Sequence, residues 1–211
     1  MSVEKNVTIA IEAAIAGGSV SILRDNAEIA SWIGTAKVSR AEDLLQNIDI
    51  LLSENGVLRT EIDLLAVSRG PGSFTGIRIG IATALGLRTG FGIEVSSESI
   101  LESMVFDSDQ EGAITAAVPV GRNAVCLQSF HISNGKPEII SEPRTVTEDG
   151  FALAACNDAS TVFLVHQSLY KNVASMSNTS DCGLNMAYAV GRICRQNRNA
   201  VIEPIFISKS F

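Results

Sequence analysis

The chain has 211 residues, of which 46% are hydrophobic and 5% aromatic, and its formal net charge is -7. This length fits one compact domain or two small lobes with a sizeable core. The acidic balance and the few aromatic side chains argue against direct nucleic-acid binding, which depends on Lys and Arg and often on stacking rings. The four cysteines have neither Cys-x-x-Cys spacing nor the density of a disulfide scaffold, which indicates reduced thiols and favours a cytoplasmic location.

The opening of the chain predicts an antiparallel meander of three short strands separated by turns. These strands are expected at residues 7–12, 20–23 and 27–33. Ser39 is then a candidate helix cap, with Glu42 three residues on as its capping-box partner. A short, almost wholly apolar strand is predicted at 62–67, of the kind found inside a sheet that is covered on both faces.

The stretch from Val67 to Gly92 combines this strand, a glycine-rich turn and a long helix. Gly-Pro and Pro-Gly pairs mark a sharp turn, and Ser73 is a good N-cap for the helix. The helix is apolar on nearly every face, which is typical of a helix buried on more than one side. Gly76, Gly80 and Ala84 leave one face almost without side chains. Since an interior glycine costs about 1 kcal/mol relative to alanine, we expect another backbone to pack closely on this face.

The second half of the chain predicts a smaller α/β unit. Strands are expected at 113–120, 123–130 and 161–165, helices begin near 147 and 184, and an extended tail covers 204–208. The composition shift near 105–112 is the best boundary, so we expect one lobe over 1–106 and a second over 107–211. Two lobes that each begin with adjacent strands and continue with helices suggest a duplicated α/β fold.

Neither a secretory signal nor a membrane span is expected. The first apolar run is interrupted by Glu12, and the long helix is interrupted by Arg78 and Arg88. A metal site is not indicated either, because His131 and His166 are far apart in sequence and form no His-x-x-x-His pair.

The glycine-rich turn leaves several chemical alternatives open. Ser73 superficially resembles the serine of a nucleophile elbow, but it is the second residue of the five-residue pattern and not the third, so a capping role explains it better. An anion could bind at the turn, because glycines expose backbone N–H groups and a helix N-terminus adds partial positive charge. The residues for such a site are Gly70, Gly72, Ser73 and Gly76, without the lysine of a Walker A loop. Glu12 and Asp63 could organise a magnesium ion, although acids at strand ends are common.

The segment from Ser68 to Gly80, Ser-Arg-Gly-Pro-Gly-Ser-Phe-Thr-Gly-Ile-Arg-Ile-Gly, resembles the signature of the bacterial TsaB (YeaZ) family. The resemblance covers about residues 5 to 105 and the tail from Glu203. It implies a fold of the actin, sugar-kinase and Hsp70 (ASKHA, RNase H-like) type, with two duplicated lobes of mixed sheets flanked by helices and a tail that returns to the first lobe. It also implies a non-catalytic partner that binds TsaD, the enzyme which, with the ATPase TsaE, modifies adenosine 37 of tRNA to threonylcarbamoyladenosine.

Some positions depart from the family pattern. Glu12 and Ala13 stand where the family carries Asp and then Thr or Ser, and the charged and aromatic residues that usually open the second lobe are missing. These losses indicate a structural role with no catalytic residue and no metal. The chain alone is then expected to bind no cofactor, with ATP or ADP as a possible ligand at the interface of the complex.

The family pairs through the two helices of the first lobe, with itself or with TsaD, and this implies a homodimer for the isolated chain. An apolar patch on these helices would mark the interface. Its candidate residues are Leu45, Ile48, Leu52, Ile77, Gly80, Ile81, Ala84 and Leu85. Two other functions stay open: an ATP-binding phosphotransferase of the same fold, which needs a nucleotide site in the cleft, and a peptidase, which needs metal ligands or a triad.

Overall fold

The computed structural model describes residues 6–35 and 41–207, so the predicted helix cap at Ser39 lies outside the described residues. The described strands are β1 (Val7–Glu12), β2 (Ser19–Arg24), β3 (Ala27–Ile33), β4 (Ile62–Ser68), β5 (Glu94–Glu98), β6 (Gly112–Gly121), β7 (Ala124–Ser133), β8 (Lys136–Ile139), β9 (Arg144–Thr147), β10 (Val162–Val165) and β11 (Thr179–Asp181). The described α-helices are α1 (Ala41–Glu54), α2 (Phe74–Phe91), α3 (Ile100–Phe106), α4 (Glu148–Asn157), α5 (Gln167–Tyr170) and α6 (Met186–Asn197).

The first sheet has the strand order β3-β2-β1-β4-β5. Strands β1, β2 and β3 pair antiparallel, as the predicted meander requires, whereas β4 and β5 add in parallel on the other side of β1. The apolar run of β4 is buried along nearly its whole length, because helices cover both faces of the sheet. The edge strand β3 is instead partly exposed, which accounts for its mixed composition.

The second sheet repeats the topology of the first. Its order is β11-β10-β6-β7-β8, with β9 paired to β7 off this path. Strands β6, β7 and β8 form an antiparallel meander, and β10 and β11 continue from β6 in parallel. Each sheet therefore places a central first strand between a meander and two parallel strands. The prediction of two duplicated α/β lobes is confirmed.

The molecule is built in five alternating layers. Helices α1 and α2 cover the outer face of the first sheet, and α4 and α5 cover the outer face of the second. Helices α3 and α6 lie between the two sheets, where α3 packs on the second sheet and α6 on the first. Although α6 follows the strands of the second lobe in sequence, its buried face contacts strands of the first lobe, including Ala10, Leu23 and Leu64.

A network of ion pairs holds α6 against the first sheet. The Asp63 carboxylate accepts hydrogen bonds from Arg195 Nη1 at 2.5 Å and Arg198 Nη2 at 2.8 Å. Arg195 also donates to Thr8 Oγ1, and Arg198 to Glu94. Because Asp63 is engaged in this way, it is not available for the magnesium site considered with Glu12. None of the helices in the described ranges is long and apolar enough to cross a membrane.

Candidate functional site

The glycine-rich turn between β4 and α2 packs against the turn that follows β1. A Cβ atom at Gly72 would lie 2.5 Å from the carbonyl oxygen of Ala14, and one at Gly76 would lie 2.0 Å from that of Ala13. Gly70 adopts a positive φ of 97°, a conformation that favours glycine. The peptide bond between Gly70 and Pro71 is cis. The glycines therefore let two turns of the same chain approach each other.

Ser73 caps α2, as the sequence predicts. Its Oγ accepts a hydrogen bond from the Gly76 N–H at 3.3 Å, and its own N–H donates to the Ala14 carbonyl at 2.7 Å. The Gly70 N–H donates to Ser68 Oγ at 3.1 Å. The amide groups of Gly70, Ser73 and Gly76 are thus engaged within the chain, which leaves fewer donors for an anion at this turn.

The turn after β1 binds the side-chain carboxylate of Glu12, the last residue of that strand. The buried Glu12 side chain accepts hydrogen bonds from the Ala14 and Ile15 N–H groups, the second at 2.9 Å. Burial raises the pKa of Glu12 to about 7, although the two backbone hydrogen bonds act in the opposite direction. Glu12 therefore occupies a place in which backbone N–H groups could otherwise receive a phosphate oxygen. Ala14 and Ile15 continue into an apolar core shared with Ile77.

The two histidines lie on different elements of the second lobe. His166 is buried at the start of α5, where its Nδ1 accepts from the Ser168 N–H at 3.2 Å, and burial lowers its pKa to about 4. His131 lies on β7 with its side chain exposed. Across residues 6–35 and 41–207, no three His, Cys, Asp or Glu side chains form a group that could hold a metal ion. All four cysteines are free thiols.

The outer surface of α1 and α2 contains a shallow apolar groove of about 640 Å³. Leu45 on α1, which lines the groove, is 46% exposed, and Leu85 on α2 is 38% exposed. The residues that line the groove are Ala41, Leu45, Phe74, Thr75, Arg78, Ile79, Ala82, Thr83, Gly86 and Leu87. Helical spacing brings Leu85 onto the same outer face of α2 as Phe74, Arg78 and Ala82. We call the surface formed by Leu45, Phe74, Arg78, Ala82 and Leu85 the docking face.

Five of the eight residues predicted for an interface lie instead in the core of the chain. They are Ile48, Leu52, Ile77, Gly80 and Ala84. The assignment of the glycine face to a partner is therefore wrong. This face packs against other parts of the first lobe: a Cβ at Gly80 would lie 3.3 Å from the Cβ of Ala13. Ile81 is partly buried between two cores, so Leu45 and Leu85 are the exposed members of the predicted set.

Two residues that line the groove, Phe74 and Arg78, and one next to them, Phe206, were not selected as site residues from the sequence. The rings of Phe74 and Phe206 lie 4.6 Å apart, and the Arg78 guanidinium lies 3.7 Å from the centroid of the Phe74 ring. The four-residue spacing of Phe74 and Arg78 along α2 could have identified that pair. The contact with Phe206 joins distant parts of the chain and has no local signal.

The two-lobed architecture is that of the actin, sugar-kinase and Hsp70 (ASKHA) fold. The structure of YeaZ from Pseudomonas aeruginosa matches 96% of this chain and 100% of its own with a TM-score of 0.71, at 19% sequence identity. Component A of (R)-2-hydroxyglutaryl-CoA dehydratase from Acidaminococcus fermentans matches with a TM-score of 0.54 at 9% identity, over 91% of this chain and 98% of its own. At these identities the likeness establishes the fold alone.

The family follows from sequence. The family model described as TsaD, tRNA N6-adenosine threonylcarbamoyltransferase, matches residues 35–203. The Bacillus subtilis tRNA threonylcarbamoyladenosine biosynthesis protein TsaB is 26% identical over 73% of this chain and 69% of its own length. The Haemophilus influenzae TsaB is 36% identical over 43% of this chain, an alignment that spans only 39% of that relative. The chain belongs to this family, as a member of its TsaB (YeaZ) group.

One of the enzymes in the family also matches a short part of the chain. The tRNA N6-adenosine threonylcarbamoyltransferase of Nitratidesulfovibrio vulgaris is 51% identical over 45 residues, which cover 21% of this chain and 12% of the enzyme.

Proposed function

We propose that this chain is a non-catalytic subunit of tRNA threonylcarbamoyladenosine biosynthesis that binds a TsaD-type subunit through its docking face. The observation that carries the proposal is the exposed apolar groove between α1 and α2. A contiguous apolar surface on a folded chain usually marks an interaction site, and here it lies beside exposed Leu45 and Leu85. A partner that covered the groove would remove these side chains from water.

Charge and family membership favour a TsaD-type partner. Helix α1 carries four acidic residues and no basic one, whereas α2 carries Arg78 and Arg88 and no acidic residue. The matching family model spans both helices, so a TsaD-type enzyme is expected to present a counterpart of the same pair. In an approximately two-fold arrangement, the α1 of one subunit would face the α2 of the other with opposite charge. The same complementarity allows a homodimer when the partner is absent.

The occupied turns support the absence of catalysis. Glu12 fills the turn after β1, and the glycine-rich turn is packed against Ala13 and Ala14. A phosphotransferase would need these turns to receive a nucleotide phosphate, and a peptidase would need a nucleophile with a base in reach. We expect ATP or ADP to bind, if at all, where this subunit meets TsaD, and we expect the ATPase TsaE to act through the assembled complex.

A binding experiment with the TsaD-type subunit of the same organism tests the proposal. Leu85→Glu should weaken the heterodimer by at least about a hundredfold, because a carboxylate would be buried against apolar groups. Leu153→Glu is the matched control, since Leu153 lies on α4 of the other lobe and is 63% exposed. Calorimetry gives both affinities, and reconstituted threonylcarbamoylation of tRNA reports the activity.

Two results would contradict the proposal. Equal affinities for Leu85→Glu and the unmodified chain would exclude the docking face. Tight binding of ATP and magnesium by the isolated chain would favour the phosphotransferase alternative.

A further inference from the structure

The segment that follows α6 runs back across the first lobe and is fixed along its length. Ser97 donates its N–H to the Asn199 carbonyl at 2.9 Å and its Oγ–H to the Val201 carbonyl. Further on, the Ile205 N–H donates to the Arg69 carbonyl at 2.8 Å, at the start of the glycine-rich turn. Ile202 packs against the core of the first lobe. Hydrogen bonds to Ser97 and Arg69 and the packing of Ile202 therefore fix the position of this tail on the first lobe.

The tail brings Phe206 to the first turn of α2, at one end of the docking face. The Phe206 ring packs on the ring of Phe74 at a 42° tilt, and the two residues are still 47% and 50% exposed. The Arg78 guanidinium lies over Phe74 at 3.7 Å and within 5.9 Å of Phe206. Two aromatic rings and an arginine thus form one half-exposed cluster, in which the rings orient the guanidinium.

Arg78 lacks an anionic partner within the part of the chain that the structure describes. Several other arginines in the described ranges also lack a carboxylate partner, but Arg78 is the one that stacks on Phe74 and lines the apolar groove. A guanidinium that stacks through its face keeps its N–H donors at its edge, where they can bind a carboxylate in bidentate fashion. The edge of the Arg78 guanidinium is therefore open to an anionic group of a binding partner.

We propose that Phe206, Phe74 and Arg78 form a third element of the docking face and bind an acidic side chain of the TsaD-type partner. This inference rests on the proposed function and names the tail as a determinant of partner recognition. Phe74 and Arg78 line the apolar groove, so the cluster is continuous with it. Exposed aromatic and arginine side chains are the residue types that contribute most to binding at interfaces.

The test measures heterodimer affinity for four variants of the full chain. Phe206→Ala and Arg78→Gln should each weaken binding of the TsaD-type subunit by about tenfold or more, as expected for interface aromatic and arginine residues. Combined, they should cost less than the product of the single effects, because they remove the same contact. Arg78→Gln should also reduce the dependence of affinity on salt concentration. Val201→Ala, at a tail residue that is 51% exposed away from the cluster, is the matched control and should bind as the unmodified chain does.

The remaining variants separate the failure of this inference from failure of the proposed function. If Leu85→Glu abolishes binding while Phe206→Ala and Arg78→Gln stay within twofold of the unmodified chain, the tail inference is wrong and the docking face stands. If the two variants weaken only self-association, the inference is wrong as well. Phe206→Leu keeps the apolar bulk that packs on the first lobe. A loss of affinity with Phe206→Leu, at an unchanged melting temperature, therefore supports the role of the ring in binding.

Discussion

At the scale of single residues, Glu12 is a buried carboxylate that accepts hydrogen bonds from its own turn. The sequence showed an acid at the end of β1, which in isolation fits a magnesium site. The structure places the carboxylate against the N–H groups of Ala14 and Ile15, where it closes the turn.

The protonation of Glu12 should make stability depend on pH. Its pKa is raised from 4.5 to about 7 in the folded protein, so the folded state binds the proton more tightly than the unfolded chain does. The resulting stabilisation is complete at low pH and is lost as pH rises through about 7. Glu12→Gln removes this dependence while its amide oxygen can still accept from the turn. The free energy of unfolding of the variant, relative to that of the unmodified protein, should therefore rise by ~2–3 kcal/mol between about pH 5 and about pH 8.

Urea unfolding at a series of pH values measures this difference. Comparing the two proteins cancels the contribution of His166, whose lowered pKa acts in the opposite direction because its stabilisation is lost as pH falls. A difference that stays constant with pH would show that the turn amides keep Glu12 ionised in the folded protein.

At the scale of elements, α2 has one face that packs inside the chain and an opposite face that is exposed. The face formed by Gly76, Gly80 and Ala84 contacts the protein's own first lobe, and the opposite face contributes to the docking face. The sequence correctly predicted a long helix, its Ser73 cap and a close backbone neighbour. It could not show that the neighbour is Ala13, because a small-residue face can pack against a turn of the same chain as well as against a helix of another.

The close contact of α2 should make one of its glycines irreplaceable. Gly76→Ala places a Cβ 2.0 Å from the Ala13 carbonyl oxygen, so the helix or the turn must move. We expect a loss of ~3 kcal/mol or more in the free energy of unfolding, or no folded protein. Gly86→Ala lies in the same helix with open space around it and should be neutral or stabilising by up to about 1 kcal/mol. Equal stability of the two variants would contradict the assigned packing.

At the scale of the whole molecule, the duplication lies in topology and not in repeated sequence. The two sheets share strand order and direction, yet the chain has no repeat at a fixed period. The sequence therefore predicted two lobes from the order of strands and helices. It could not predict the five layers, because the placement of α6 depends on contacts with Ala10, Leu23 and Leu64 that are distant in sequence.

The attachment of α6 to the first lobe should depend on Asp63, which accepts from both Arg195 and Arg198. Asp63→Asn leaves the partly buried Arg195 without a counter-charge and Arg198 with only the exposed Glu94, so we expect ~1–3 kcal/mol of destabilisation. Hydrogen exchange should accelerate along α6 and the tail more than in α4, because the helix then separates more easily from the first sheet. Glu94→Gln is the matched control: Glu94 pairs with Arg198 but is 72% exposed, so its loss should cost less than about 1 kcal/mol. If the α6 amides of both variants exchange at the same rate as those of the unmodified protein, apolar packing alone holds α6 in place and the ion pairs do not contribute to its attachment.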